Sequence, residues 1–337
     1  MTKDREYYEI LEVSPKARPE VIHAAYRALM QIHHPDRGSN GRLAVILNEA
    51  KEVLFDEKSR REYDSGRDKK ETKLIDKIGN YEIVNQLAEG GFGKTYLGKH
   101  LVLNEPVCIK IPHENDSLFV EILLEEAKSI WDLRHYSLPV MRDIIKEPDR
   151  IGLVMSYIPG KTLEKIVEKV GPLEPEHVAW IVDRSLNVMQ YLHYNEVIHG
   201  DVKPQNIIIQ PNTHQIVLVD FGLSAIKPKK TDSNKGFTPY FASPEQEKGS
   251  VLLPASDYYS LGMTMIYALG GDVESKKIPR STPEPLRDFI SDLIVRDVEQ
   301  RQKLYESNIY EKFSKVRKDS FGRTSSGFKK IPGVDNE

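Results

Sequence analysis

Cysteine is almost absent from this sequence: Cys108 is the only one among 337 residues. An intrachain disulfide is therefore excluded, and a lone thiol fits a reducing compartment. Charge of one sign is lacking too. A formal net charge of −3 leaves no electrostatic footprint for nucleic acid or a membrane surface. No stretch approaches the ~20 consecutive apolar residues of a membrane helix, and the polar opening of residues 1–6 has no apolar signal-peptide core. Internal repeats and low-complexity tracts are missing as well. These absences predict a cytoplasmic protein with no nucleic-acid and no membrane partner, although leaderless secretion into a host cell would leave no mark. What is present is a globular composition, 39% hydrophobic and 29% charged, long enough for two domains with separate cores.

The first 66 residues predict two helices. Pro19 suits a helix start, and Ile22, Ala25, Tyr26, Leu29 and Ile32 recur at helical spacing as far as His33. Leu43, Ile46, Leu47, Ala50, Val53 and Leu54 mark the second helix. The polar loop between them holds His34, Pro35 and Asp36, with Pro35 and Gly38 ending the first helix. Together with Tyr7-Tyr8, Asn48-Glu49-Ala50 and Arg61-Glu62-Tyr63-Asp64, this order and spacing resembles the J domain of DnaJ-type co-chaperones. The resemblance covers essentially the whole module. It implies that His34, Pro35, Asp36 and Arg27 contact a DnaK-type heat-shock chaperone and stimulate its ATP hydrolysis. Two departures stand out. The helix that usually offers a basic face carries Arg27 with His23 and Gln31, which weakens electrostatic steering. Glu12 stands where the family has glycine.

Residues 67–80 are charged and read as a solvated tether. Beyond them Tyr81 to Leu87 reads as a strand, and Gly90, Gly91 and Gly93 form a turn into a second strand. Lys110 ends another strand. Between 117 and 134, Phe119, Ile122, Leu123, Ile130 and Leu133 define one helical face with Glu126 in its middle. A carboxylate in an apolar stripe must find a cation, and Lys110 is the candidate. Residues 151–160 read as a strand running into a flexible crossing, followed by helices at 161–170 and 175–194. Then the apolar run Val197–Ile198 feeds a polar turn with Asp201, Lys203 and Asn206, and a second apolar run ends at Asp220-Phe221-Gly222.

The spacing Asp-x-Lys-x-x-Asn followed by Asp-Phe-Gly resembles the catalytic loop and metal-binding turn of the protein kinases, and Lys203 matches their serine/threonine class. The resemblance implies an α+β multidomain chain: an all-α helical-hairpin J domain (1–66), a linker (67–80) and a bilobal kinase fold (81–313). The β-rich small lobe would span about 81–155 and the mainly α large lobe about 159–313. Residues 314–337, basic with Ser, Gly and Thr, read as a disordered tail.

Roles follow by the same resemblance. Asp201 would orient the substrate hydroxyl and Lys203 steady the transferred phosphate. Lys110 and Glu126 would position ATP, and Asn206 and Asp220 hold Mg²⁺ (or Mn²⁺). The ATP-binding set would be Leu87, Gly90, Gly91, Phe92, Gly93, Thr95, Cys108, Lys110, Met155, Ser156, Ile158 and Ile208. Thr231, Ser233 and Thr238 are candidate phosphosites, and Arg301 should pair with Glu245. Departures from the family fall at Ala88, Thr95, Cys108 and Gly200. Gly200 replaces the arginine on which a loop phosphate docks, so loop phosphorylation is expected not to be a strict on-switch. The leading reading is a serine/threonine kinase, acting with ATP on protein substrates and joined to a chaperone-recruiting J domain. The alternative is a co-chaperone whose kinase-like domain is a scaffold.

Overall fold

Hydrophobic period and alternation account for most elements. The computed structural model describes residues 7–15, 17–33, 42–67, 77–113, 117–211, 213–229, 231–306, 308–324 and 331–334. The chain divides into two compact units, residues 1–127 with 141–157 and residues 128–140 with 158–337.

The first unit begins with helices α1 (Tyr7–Ile10), α2 (Pro19–His33), α3 (Arg42–Leu54) and α4 (Glu57–Arg67). The stripes on α2 and α3 close over Tyr8 and Leu11, burying Ile22, Leu29, Leu47, Ala50 and Leu54. Burial of each such large side chain contributes about 1.5–3 kcal/mol. Helix α4 is too polar to be held that way. Arg60 Nε donates to the Tyr8 hydroxyl at 2.6 Å and its Nη2 to the Ala17 carbonyl at 2.8 Å. The Tyr8 hydroxyl donates to Asp64 at 2.9 Å, and the Tyr63 hydroxyl accepts from the Tyr7 amide at 2.9 Å.

The same unit continues as β1 (Lys77–Ile78), β2 (Tyr81–Gly90), β3 (Gly93–His100), β4 (Pro106–Pro112), α5 (Ser117–Ile130), β5 (Met141–Lys146) and β6 (Ile151–Ser156). The strands form an antiparallel sheet in the order β1-β2-β3-β4-β6-β5. Alternate residues Ile78, Tyr81, Ile83, Tyr96, Ile109 and Val154 fill its core. Strand β1 corrects the expected linker: Lys77 and Ile78 pair with Glu82 and Tyr81, so only 68–76 of that stretch lies outside the described residues. Helix α5 stops at Ile130 rather than Arg134.

In the second unit β7 (Lys161–Thr162), α6 (Leu163–Val170) and α7 (Pro175–Tyr194) lead to β8 (Val197–Ile198), β9 (Ile207–Gln210), β10 (Gln215–Leu218) and β11 (Ala225–Ile226). Helices α8 (Pro244–Glu247), α9 (Pro254–Ala268), α10 (Glu284–Leu293), α11 (Val298–Glu306) and α12 (Ile309–Phe321) follow. Strands β10, β9 and β7 form one small antiparallel sheet, and β8 pairs with β11. Helix α9 is buried over almost its whole length, which makes it the centre of the unit. Between α9 and α10 only an isolated bridge joins Asp272 and Lys277 among the described residues.

The expected disordered tail is also corrected. Residues 314–321 belong to α12, whose Phe313 and Val316 are buried, and Ile331 and Val334 are buried beyond it. A Cβ placed on Gly333 would lie 2.8 Å from Val170 Cγ1, so this segment seats against α6. Among the described residues no helix is long and apolar enough to cross a membrane.

Candidate active site

Strand alternation turns Lys110 inward from β4, where its neighbours in register are Thr95 on β3 and Leu153 on β6. Its Nζ donates to Glu126 Oε2 at 2.7 Å. The lysine is 9% exposed and the glutamate 1%, so neither charge keeps a water shell. Removing one partner of such a pair leaves a buried charge, at a cost of about 3–5 kcal/mol. Gly90 ends β2 and Gly91 with Phe92 makes the turn to β3, the Phe92 ring leaning on Phe119 of α5 with centroids 6.4 Å apart. Leu87 lies at an irregularity of β2, half-buried. Met155 and Ser156 end β6, with Met155 opposite Cys108.

In the second unit the loop after β8 is built on Asp257 of α9. The Asp257 carboxylate is fully buried and accepts from the amides of His199 (2.9 Å) and Gly200 (2.8 Å) and from His193 Nε2 (2.8 Å). Burial alone would raise this carboxyl; the His193 hydrogen bond and charge outweigh it and hold it below the usual carboxylate value. Burial pushes the His199 imidazole down. Loop geometry at Gly200 is left-handed, φ +76°. A Cβ there would stand 2.7 Å from the Leu223 carbonyl oxygen and 2.9 Å from Leu252 Cδ1.

The loop so fixed gathers four side chains. Thr238 donates from its hydroxyl to Asp201 Oδ1 at 2.6 Å, and Lys203 Nζ donates to that same hydroxyl oxygen at 2.8 Å. Lys203 Nζ also lies 2.9 Å from Asp201 Oδ2. Asn206 Nδ2 donates to Asp201 Oδ2 and to its carbonyl, both at 2.9 Å. Because that nitrogen is committed, the Asn206 Oδ1 remains as an oxygen donor for a cation. Asp220, exposed after β10 with φ +66°, offers a carboxylate. Two hard oxygen ligands fit a divalent cation of the Mg²⁺ type.

Sequence reading missed three of these groups. The imidazole of His193 and the amide of Gln246, whose Nε2 donates to the Gly200 carbonyl at 2.8 Å, both brace the loop. Ser243 with Gln246 three residues on forms a capping box, a pattern visible in sequence. The third is the use of Thr238: it is tied to Asp201, whereas Thr231 and Ser233 are exposed. Arg301, 1% exposed, pairs with Glu245 as expected, and Ser256 donates to that carboxylate at 2.8 Å. His34, Pro35 and Asp36 lie outside the described residues; Arg27 is described, with its Nε on the His23 carbonyl at 3.2 Å.

Residues 81–309, well over half of the chain, match the protein kinase domain. The chain belongs to the protein kinase family. Ahead of the kinase domain, residues 6–64 match the DnaJ domain. Over 202 residues the kinase is 32% identical to the serine/threonine-protein kinase PrkC of Bacillus subtilis, covering 58% of this chain and 31% of that one. Serine/threonine-protein kinase D of Synechocystis is 30% identical over 223 residues (60% of this chain, 42% of that one). Serine/threonine-protein kinase PknB of Mycobacterium leprae is 30% identical over 203 residues (57% and 32%). The matched segment therefore spans less than half the length of each of these relatives.

Proposed function

We propose that the kinase domain transfers the γ-phosphoryl group of ATP to serine or threonine hydroxyls of protein substrates. The observation that carries this is the Thr238 hydroxyl, donating to Asp201 while accepting from Lys203. Thr238 thereby orients a carboxylate able to take a hydroxyl proton beside a cation able to lie next to the oxygen, the two groups a substrate alcohol needs. Asp201 then takes the proton as the hydroxyl oxygen bonds to the γ-phosphorus, and the bond to the bridging oxygen breaks with its electron pair leaving on ADP. A positioned base of this kind contributes about 10²–10⁴-fold. Lys203 balances charge on the transferred group. Lys110, steadied by Glu126, meets the ATP phosphates, and the glycine-rich hairpin offers them backbone amides. The adenine side of the set is Leu87, Cys108, Met155, Ser156, Ile158 and Ile208. Asn206 and Asp220 would hold Mg²⁺, which when bound neutralises phosphate charge.

The DnaJ domain supports a DnaK-type chaperone as partner, through Asp36 and Arg27. The single thiol supports a reducing, cytoplasmic setting.

Incubation with labelled ATP and Mg²⁺ tests the transfer. Label should appear on serine or threonine of the protein itself, a generic substrate or the chaperone, and fall at least about 100-fold in Asp201→Asn and Asp220→Asn. Absence of label on all three, with the wild-type chain folded, would leave the domain a scaffold. Asp36→Asn in the full chain should abolish stimulation of the chaperone ATPase.

A further inference from the structure

The end of α1 meets the glycine-rich hairpin. His113, just after β4, places Nε2 2.6 Å from the Gly90 carbonyl oxygen and 2.7 Å from Glu9 Oε2. His113 thus hydrogen-bonds the hairpin carbonyl while standing at ion-pair distance from Glu9 of the DnaJ domain. Its Nδ1 lies 4.0 Å from Glu89, which Lys94 Nζ holds at 2.7 Å and Gln86 Nε2 at 2.8 Å.

A second observation is steric and independent of these charges. A Cβ on Gly91 would stand 3.0 Å from the Glu9 carbonyl oxygen and 3.9 Å from Glu12 Cγ. The backbone of α1 and the hairpin tip therefore approach closely, and a side chain at 91 would fit only if one of them gave way slightly.

The third lies in Glu12 itself. Its φ is +54°, held by a bond from its amide to the Glu9 carbonyl at 2.8 Å. Glycine adopts this conformation freely, whereas other residues lose roughly 1–2 kcal/mol. The chain nevertheless carries a glutamate there, beside Gly91.

A cation held by Glu9, Glu89 and His113 is the competing use, since their ligand atoms lie within 4.8 Å of one another. The His113 nitrogen already sits between Glu9 and Gly90, and an ammonium already sits on Glu89, so an ion would have to displace both. The cluster works as an ion-paired clasp.

We propose that the DnaJ domain is an intramolecular clasp on the glycine-rich hairpin, in which Glu9, through His113, fixes the hairpin tip and sets how tightly ATP is held. This rests on the assignment of the hairpin to the ATP phosphates. Closing free residues over a ligand loses backbone freedom of roughly 1–2 kcal/mol each; residues held beforehand have already lost it. Glu9 and His113 are positioning residues and touch no reacting atom. A chaperone that binds the clasped and released DnaJ domain unequally shifts nucleotide affinity, and nucleotide shifts chaperone affinity equally.

Amide hydrogen exchange on the full chain without nucleotide tests the clasp and requires no catalysis. Glu9→Arg should speed exchange across residues 88–94 about tenfold, weaken binding of a fluorescent ATP analogue about tenfold and change kcat less than about threefold, a coupling typical of one charged contact. Glu9→Arg with His113→Glu should recover most of both losses. Exchange at Leu47 and Leu54 reports whether the DnaJ core stays folded; should Glu9→Arg disturb it, the milder Glu9→Gln takes its place with the same expectation. Unchanged exchange at 88–94 in a variant whose core is intact overturns the clasp. A chain that shows the exchange effect yet transfers no phosphate keeps the clasp and loses the kinase assignment, so the two failures are distinct.

Discussion

Asp257 touches no reacting group, yet it fixes the backbone that carries Asp201. Its carboxyl is held below its usual value in the fold, so it contributes stability above the unfolded value of about 3.8 and loses it as pH falls through the lower, folded value. His199 acts in the same direction, since a histidine buried neutral disfavours the fold once pH drops below about 6.5. Thermal denaturation followed from pH 7 to pH 3 should show the large lobe weakening steadily on the acid side. Asp257→Asn should be destabilised by about 1–3 kcal/mol at neutral pH, because an amide cannot accept from all three donors. Thr238 supplies a second test at this scale. Thr238→Val should lower kcat by about 10–100-fold, the worth of a hydrogen bond to a charged group, and Thr238→Ser should restore it.

At the scale of elements, legibility followed the range of the interactions. Helices α2 and α3, the Lys110 strand and the Asp201 loop were readable because spacing within about ten residues defines each. The pairing of Lys110 with Glu126 was readable because burial of a carboxylate demands a cation. Strand β1 was not: two residues of a charged stretch become strand only by pairing with Tyr81 and Glu82. Helix α12 carried its signal, Ile309, Phe313 and Val316 at helical spacing, beneath a basic composition that read as disorder. The seat of residues 331–334 has no local signature, since Gly333 lies against Val170 and Ile166 of α6. Deleting residues 331–337 should destabilise the protein by about 2–4 kcal/mol in urea denaturation, two buried side chains less the freedom the segment regains. The hairpin clasp has its own pH dependence. Burial lowers His113, but Glu9, Gly90 and Glu89 outweigh it and raise it, with Lys94 the nearby positive charge. The clasp should therefore be complete below about pH 6.5 and loosen as pH rises through the raised value, read as faster exchange at residues 88–94.

For the whole molecule, the order of modules was legible because each carries compact motifs of its own. Their grouping was not. The charged linker left open whether the two domains touch, whereas residues 1–127 with 141–157 form one compact unit. Contacts between segments remote in sequence, such as Glu9 with His113, have no signature in either partner alone. The clasp makes a prediction at this scale. Saturating ATP should slow amide exchange at residues 9–13 of the DnaJ domain, far outside the nucleotide set in sequence, and Glu9→Gln should remove that protection.

Gly200 also bears on which residues the catalytic loop can accept. In a kinase of the usual pattern an arginine stands there, but in this chain its first side-chain carbon would meet the Leu223 carbonyl and the Leu252 methyl. A side chain at 200 is therefore opposed twice, by the left-handed backbone and by the Leu223 carbonyl, and a smaller residue at 252 would relieve only the methyl contact. Any side chain at this position would require the loop itself to take another path, so the glycine and the course of the catalytic loop are one choice.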